Sequence, residues 1–314
     1  MNTNNFFTRP ITVCLLAMLC SVLWGSAYPC VKIAYDLFQI APNDTATILI
    51  FAGTRFTFAG IFTLLIGSLA HRRLLVPKKE NIGILIKLAL VQVVVQYFFF
   101  NVGVANTSGI KTAIITGTNV FLAILISSLI VKLEKLTWLK IIGCIFGFSG
   151  VVLVNLSGGG LDANFAWNGE AMICMSTLSS AISSVMLKFY GQSENPITLN
   201  GYAFAIGGII LMGIGFCMGG AMTHWTPQSF GILFYLVTLS TIAYTFWAIL
   251  LKYNPVSQVT IFGFMNPVAG VILSAVLLDE THQASGITTI IALVLVSLGI
   301  FVVNKQVTNK LKKD

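Results

Sequence analysis

Runs of about twenty apolar residues, parted by short polar stretches, follow one another through the whole chain. A hydrocarbon layer of about 30 Å takes roughly 20 residues of helix to cross, so each run is long enough to span a membrane. The pattern predicts ten spans, over 11–34, 46–69, 82–104, 109–131, 138–156, 168–190, 198–220, 229–252, 256–278 and 284–304. The polar connections are short, which leaves no inserted soluble domain. The first run exceeds the apolar core of a secretory leader and no small-residue cleavage pattern follows it, so it is expected to stay in the mature chain.

Charge orients this array. With the N-terminus inside, the inner loops and inner helix ends hold Arg9, Arg72, Arg73, Lys78, Lys79, Lys87, Lys132, Lys135, Lys140, Lys188, Lys252, Lys305, Lys310, Lys312 and Lys313, fifteen of the eighteen basic residues. Lys32, Arg55 and Lys111 are left over, and the outer connections hold Asp36, Asp44, Asp162, Asp279 and Glu280. Retention of Lys and Arg on the cytoplasmic side therefore sets both termini in the cytoplasm. The formal net charge of +8 is topological, and the tail lysines suit anionic lipid headgroups rather than nucleic acid. A charged fraction of 9% excludes a soluble domain, where about a quarter is usual. Cys14, Cys20, Cys30, Cys144, Cys174 and Cys217 all fall inside spans and read as small packing residues, with no disulfide framework.

The chain also repeats itself. Tyr97 and Phe99 match Tyr244 and Phe246 at an offset of 147, and Asn119 matches Asn266 at the same offset. Gly150 to Asn155 resembles Gly299 to Asn304, and Lys32 matches Lys188. Five spans is an odd number, so a second copy must enter from the opposite side. The expectation is two inverted halves, 1–156 and 157–314, with a solute site near the midplane where they meet.

Within the spans, Arg55 lies near ~14 Å of depth at 1.5 Å per residue. An arginine there costs roughly 2.5–3.5 kcal/mol on insertion scales and needs a partner or a cavity. It reads either as a cation for a substrate carboxylate or as a structural arginine bonded to neighbouring helices. Gln92 and Gln96 share a face beside Tyr97, Asn119 follows in the fourth span, and Thr241, Tyr244 and Trp247 recur at helical spacing with Asn266 in the ninth. Polar groups facing lipid would be unsatisfied, so these turn inward, either around a shared cavity or into interhelical hydrogen bonds. Pro29 and Pro267 remove backbone hydrogen bonds inside spans and are candidate hinges or tolerated kinks. Gly143 and Gly147, like Gly215 and Gly219, have the spacing of close helix contacts. Glu170 opens the sixth span, where the helix dipole favours it, with proton coupling as the alternative role.

Several of these residues resemble a known family. Trp24-Gly25-Ser26 with Lys32, Arg55-Phe56, Gly169-Glu170, Asn266-Pro267, and the turns Leu133-Glu134-Lys135-Leu136-Thr137 and Leu278-Asp279-Glu280-Thr281 are similar to motifs of the EamA family of the drug/metabolite transporter superfamily. The resemblance covers essentially the whole chain. It implies an all-α integral membrane protein with ten transmembrane helices in two inverted-topology five-helix repeats, located in the plasma (inner) membrane. It also implies export or uptake of amino acids and other small metabolites. Where the family often has a proline in the fourth span, this chain has Val120 after Asn119.

No Asp or Glu lies near the middle of any span. A hollow beside Arg55 without an acid suits neutral, zwitterionic or anionic solutes rather than lipophilic cations. The expected partners are such a small molecule, the lipid bilayer, and protons or a counter-substrate as the drive, with no nucleic acid, metal or cofactor. An organophosphate or nucleotide-sugar exchanger or a lipid flippase is the alternative. His71, His224 and His282 fall in loops, and no paired catalytic group at matching depth supports an intramembrane enzyme.

Overall fold

The computed structural model describes residues 6–107, 112, 115–156, 166–277 and 286–311. Lys111, Asp162, the turn Leu278 to Thr281 and the tail Lys312 and Lys313 lie outside them. The described residues are helical, with no strand among them. The helical runs are α1 (Pro10–Phe38), α2 (Thr45–Ala70), α3 (82–105), α4 (Ile115–Ile130), α5 (Trp138–Leu156), α6 (Glu170–Tyr190), α7 (Pro196–Cys217), α8 (Pro227–Tyr253), α9 (256–277) and α10 (Gly286–Leu311). Six of them, α1, α2, α3, α6, α7 and α8, are long and apolar enough to cross a membrane, and α4, α5 and α10 hold shorter apolar stretches.

Helix starts follow local chemistry. Pro10, Pro196 and Pro227 occupy first-turn positions where a missing N–H costs nothing. Asp44 accepts from the Thr47 N–H, Asn195 from Ile197, and Thr226 and Ser229 form a reciprocal box. Three runs are irregular inside. A π-helical turn, Leu90–Val95, interrupts α3, a second, Ile126–Ile130, ends α4, and a 3₁₀ turn, Ile261–Phe264, divides α9. Pro267 sits just after that 3₁₀ turn, third in the segment Met265–Leu277. Helical residues precede it without a gap, so its missing N–H removes the bond to the preceding turn just where the run changes from 3₁₀ to α. The break belongs to the 3₁₀ turn, whereas Pro29 sits inside the unbroken α1.

The bundle has two distinct ends. Phe7, the loop 71–81, the turn after Tyr190, Asn254 and Glu134 meet at one, joined by bonds from Asn254 to the Phe7 carbonyl, from Asn81 and the Lys78 N–H to Glu194, and from Ser257 to Glu134. This is the basic end. Burial alone would raise the Glu194 carboxyl, but these donors, with the Asn195 N–H and the Lys78 charge, hold it below the usual range. At the other end Phe38 packs on Trp225, Thr47 bonds Ala221, and Thr107 donates to Glu170. Thus α1 starts at the basic end and α6 starts at the other. The described part of α10 returns to the basic end, where Asn304 lies beside Pro10.

The principal helix pairs are α2 with α7, α5 with α10, α1 with α8 and α9, and α6 with α3 and α4. Small residues make the first two pairs close. An added Cβ at Gly60 would meet the Gly201 carbonyl oxygen at 2.5 Å, and one at Gly143 would meet that of Gly299 at 2.8 Å. Gly147 and Gly215 are likewise covered. Gly219 is not a contact glycine: it has open space around it and a φ of +86°, the left-handed geometry of the turn after α7. The outer surface is apolar, with Leu15, Leu65, Ile209 and Phe301 all more than half exposed. That surface suits lipid contact, where helix association rests on packing rather than on burial from water. Cys20, Cys30 and Cys144 pack inside, while Cys14, Cys174 and Cys217 are exposed on that surface rather than in the packing.

Candidate functional site

Two tyrosines that match at an offset of 147 meet at the centre of the bundle. The hydroxyls of Tyr97 on α3 and Tyr244 on α8 lie 2.6 Å apart. Residues exchanged by a two-fold repeat touch each other only on its axis, so this hydrogen bond marks where such an axis would run. Around the pair stand aromatic rings. Phe56 lies 4.3 Å from Tyr97, Phe204 lies 4.8 Å from Tyr244, and Trp24 contacts both Tyr244 and Trp247 edge-on at 4.9 Å.

Arg55 projects from mid-α2 into this cluster. It is 7% exposed, donates from Nε to Ser240 Oγ at 2.9 Å, and its charge acts on the hydroxyls of Tyr35, Tyr97 and Tyr244. No carboxylate among the described residues pairs with it. A guanidinium held by one neutral hydroxyl inside a low-dielectric bundle leaves most of its fork available to an anion.

The predicted polar residues divide into two groups. Gln92 donates to Asn200 Oδ1 at 3.1 Å, and Asn200 donates to the Tyr244 carbonyl at 2.6 Å, an amide chain that ties α3, α7 and α8 just below the tyrosines. Asn119 donates to Ser180 at 2.7 Å, joining α4 to α6. Thr241 returns its hydroxyl to Val237 and Ala59 carbonyls. Apart from the Thr241 bond to Val237, which stays within α8, these are interhelical ties. Other groups keep capacity for a ligand: Gln92 Oε1, Asn266 Oδ1 and Trp24 Nε1 are buried without a hydrogen-bond partner. Such atoms are costly in a dry interior and become satisfied when a ligand or water arrives. Gln96, Tyr97, Tyr244 and Asn266 are half-buried, and none points fully out of the bundle.

Tyr28 lies one helical turn beyond Trp24 on α1. It keeps 40% of its surface, although its hydroxyl bonds Thr116 of α4 and its ring lies against Gly270 of α9. Tyr28 thus ties α1 to α4 and α9 on the side of the tyrosine pair away from the basic end. A separate hollow of about 330 Å³, between α1, α9 and α10, is lined by Cys14, Met18, Phe262 and Phe301 and contains none of the predicted site residues.

Sequence reasoning missed Ser240, Asn200, Ser180, Phe56 and Phe204 as parts of this site. Asn200 carried a signal, since a lone amide in an apolar span needs an internal partner. Tyr97→Phe and Tyr244→Phe each remove one end of the same bond. Each is expected to slow transport about tenfold, with the double variant no slower than the worse single one, because coupled pairs are not additive. Initial rates in reconstituted vesicles measure this.

The profile of the EamA-like transporter family matches residues 11–156 and again residues 167–305. An uncharacterized transporter of Archaeoglobus fulgidus is 27% identical over 305 residues, covering 93% of this chain and 98% of that protein. The uncharacterized inner membrane transporter YedA of Escherichia coli K12 is 28% identical over 291 residues, 88% of each chain. The uncharacterized transporter YvbV of Bacillus subtilis is 25% identical over 298 residues, 94% of this chain and 92% of that one. A protein of known crystal structure superposes with a TM-score of 0.74 at 16% identity, over 93% of this chain and 96% of that one, a likeness of fold. The chain belongs to the EamA-like transporter family and is a multi-pass membrane transporter of the drug/metabolite type, not an enzyme.

Proposed function

We propose that the chain is a secondary transporter of the plasma membrane that exports small metabolites, amino acids and related carboxylates foremost, by alternating access. Its ten helices span the bilayer as two inverted halves, 1–156 and 157–314, with both termini and the basic end in the cytoplasm. The observation that carries the reading is the Tyr97–Tyr244 bond with Arg55 beside it. Two matched residues from the two halves meet at mid-bundle, next to a cation without a carboxylate partner among the described residues.

Packing supports the inverted repeat. Exchanging the first five helices for the last five turns α1·α8 into α6·α3 and α1·α9 into α6·α4, and returns α2·α7 and α5·α10 to themselves. Each of these contacts maps onto another of them or onto itself. Phe56 and Phe204, on the exchanged pair α2 and α7, also touch, at 5.3 Å.

Arg55 receives the substrate carboxylate, while Gln92, Gln96, Asn266 and Trp24 offer groups to the rest of the solute. Asn119, Thr241 and Trp247 shape the walls, and Pro29 and the Pro267 region supply compliance. A proton gradient or exchange against a second solute drives the cycle. Metabolite profiling of cells overexpressing and lacking the chain tests this: a carboxylate metabolite is expected to rise outside the overexpressing cells. Unchanged profiles for every amino acid and carboxylate would overturn the substrate class. Reporter fusions after residue 156 and at the C-terminus should report opposite sides; the same side would overturn the inverted repeat.

A further inference from the structure

We propose that Glu134 is the gating residue that latches the basic end shut, by capping a helix of the other half. The inference rests on the alternating-access reading and deepens it. Glu134 lies in the turn between α4 and α5, in the first half. Its Oε1 accepts the Ser257 N–H at 3.0 Å, and its Oε2 accepts the Ser257 hydroxyl at 2.6 Å and Lys140 Nζ at 2.9 Å. Ser257 is the second residue of α9, whose N-cap is Pro255, a residue with no side-chain acceptor to offer. The orphan N–H at this helix start is therefore satisfied by a carboxylate from the opposite half.

The latch is dry. The side chains of Lys140 and Glu134 are 9% and 8% exposed, and Ser257 is fully buried. Lys140 is held in turn by the Lys135 carbonyl at 2.7 Å, and the charge of Lys188 on α6 also acts on Glu134. Beside and below the latch, Ala123 and Ile124 of α4, Leu250 and Leu251 of α8, and Val256 and Val259 of α9 are 2% exposed or less. No solute passes this plug unless α4 and α9 separate.

Both partner helices carry a break beside the latch. The π-helical turn of α4 ends at Ile130, and its Ser127 and Ser128 hydroxyls are buried without partners. The 3₁₀ turn of α9 begins at Ile261, soon after Ser257. Interruptions of this kind concentrate at hinges, because their hydrogen bonds are weaker than those of the α-helix. Two breaks flanking one cross-half bond let the helix ends swing apart as rigid pieces once the carboxylate lets go.

A cysteine-free version carrying Ala123→Cys reports on the plug. In inside-out vesicles, which present the basic end, an impermeant thiol reagent should label it slowly. Glu134→Gln is expected to raise that rate about tenfold, equal to about 1.4 kcal/mol in the closed–open equilibrium. Glu134→Asp, too short to reach both Ser257 donors and Lys140, should fall between. In right-side-out vesicles the rate should not rise. The labelling needs no substrate, so failure removes the gate and leaves the transport reading standing. Unchanged protection in a monodisperse Glu134→Gln protein would overturn the proposal, as would equal acceleration from both sides. Should that variant not fold, Ser257→Ala, which keeps the N–H and loses one donor, is expected to raise the rate about threefold, and an unchanged rate there is equally contrary.

Discussion

Replacing Arg55 with methionine is expected to lower carboxylate flux by about 100-fold or more while leaving the bundle folded. Removing one partner of a desolvated charge-assisted contact costs about 2–5 kcal/mol, and each 1.4 kcal/mol is about tenfold. Folding should withstand the change for a specific reason. Ser240, which accepts from Arg55, also donates to the Leu236 carbonyl at 2.8 Å, so its hydroxyl keeps a partner. Methionine matches the length of the arginine stem and removes a charge whose burial is itself expensive. Lysine keeps the charge and loses the planar fork, so Arg55→Lys should be intermediate. Initial uptake rates, with thermal unfolding in detergent as the folding control, measure both parts. Wild-type flux in Arg55→Met would return Arg55 to a purely structural role.

The second large effect concerns the crossing of α2 and α7. A Cβ added at Gly208 would lie 2.5 Å from Thr57 N and Oγ1 and 2.7 Å from the Gly53 carbonyl oxygen. Two of these atoms are backbone and cannot rotate away. Gly208→Val therefore forces the helices apart along a contact held by close packing and by weak bonds from Thr54 and Thr57 to the Met212 sulfur. We expect a loss of at least about 3 kcal/mol, the upper range for overpacking, seen as aggregation on extraction or a much lower melting temperature. Gly213→Val, on the same helix with nothing within 4 Å of the added Cβ, should extract and melt as the wild type does. Equal behaviour of the two variants would mean that the crossing tolerates separation.

Much of this was legible in the chain because lipid imposes simple rules. The fifth span, 138–156, matches α5 at both ends, and most others differ by a few residues where caps such as Asn195-Pro196 start the helix earlier. α1 runs on to Phe38, four residues past its predicted end, closing with Gln39 in the left-handed region. The offset of 147 predicted that Tyr97 and Tyr244 are equivalent, but not that they touch. Contact depends on how the halves dock, and the repeat alone does not fix that. The interruptions were invisible for another reason. Leu90–Val95 is a valine-rich run that reads as ordinary helix, and nothing local marks the Val91 carbonyl as one that accepts both the Gln96 N–H and the hydroxyl of Ser179, 88 residues away. The Glu134 latch likewise joins residues 123 positions apart, a pairing that local pattern does not encode.

Arg55 and its aromatic surround, the paired tyrosines and the latch all serve one central claim, that a single mid-bundle site faces the two sides of the membrane in turn. Counterflow tests it most directly. Proteoliposomes loaded with an unlabelled amino acid or carboxylate and diluted into the same labelled solute should show a transient, saturable overshoot for at least one member of that class, and none with Arg55→Met. A well-folded protein that gives no overshoot with any carboxylate solute, yet accumulates a lipophilic cation, would contradict the account.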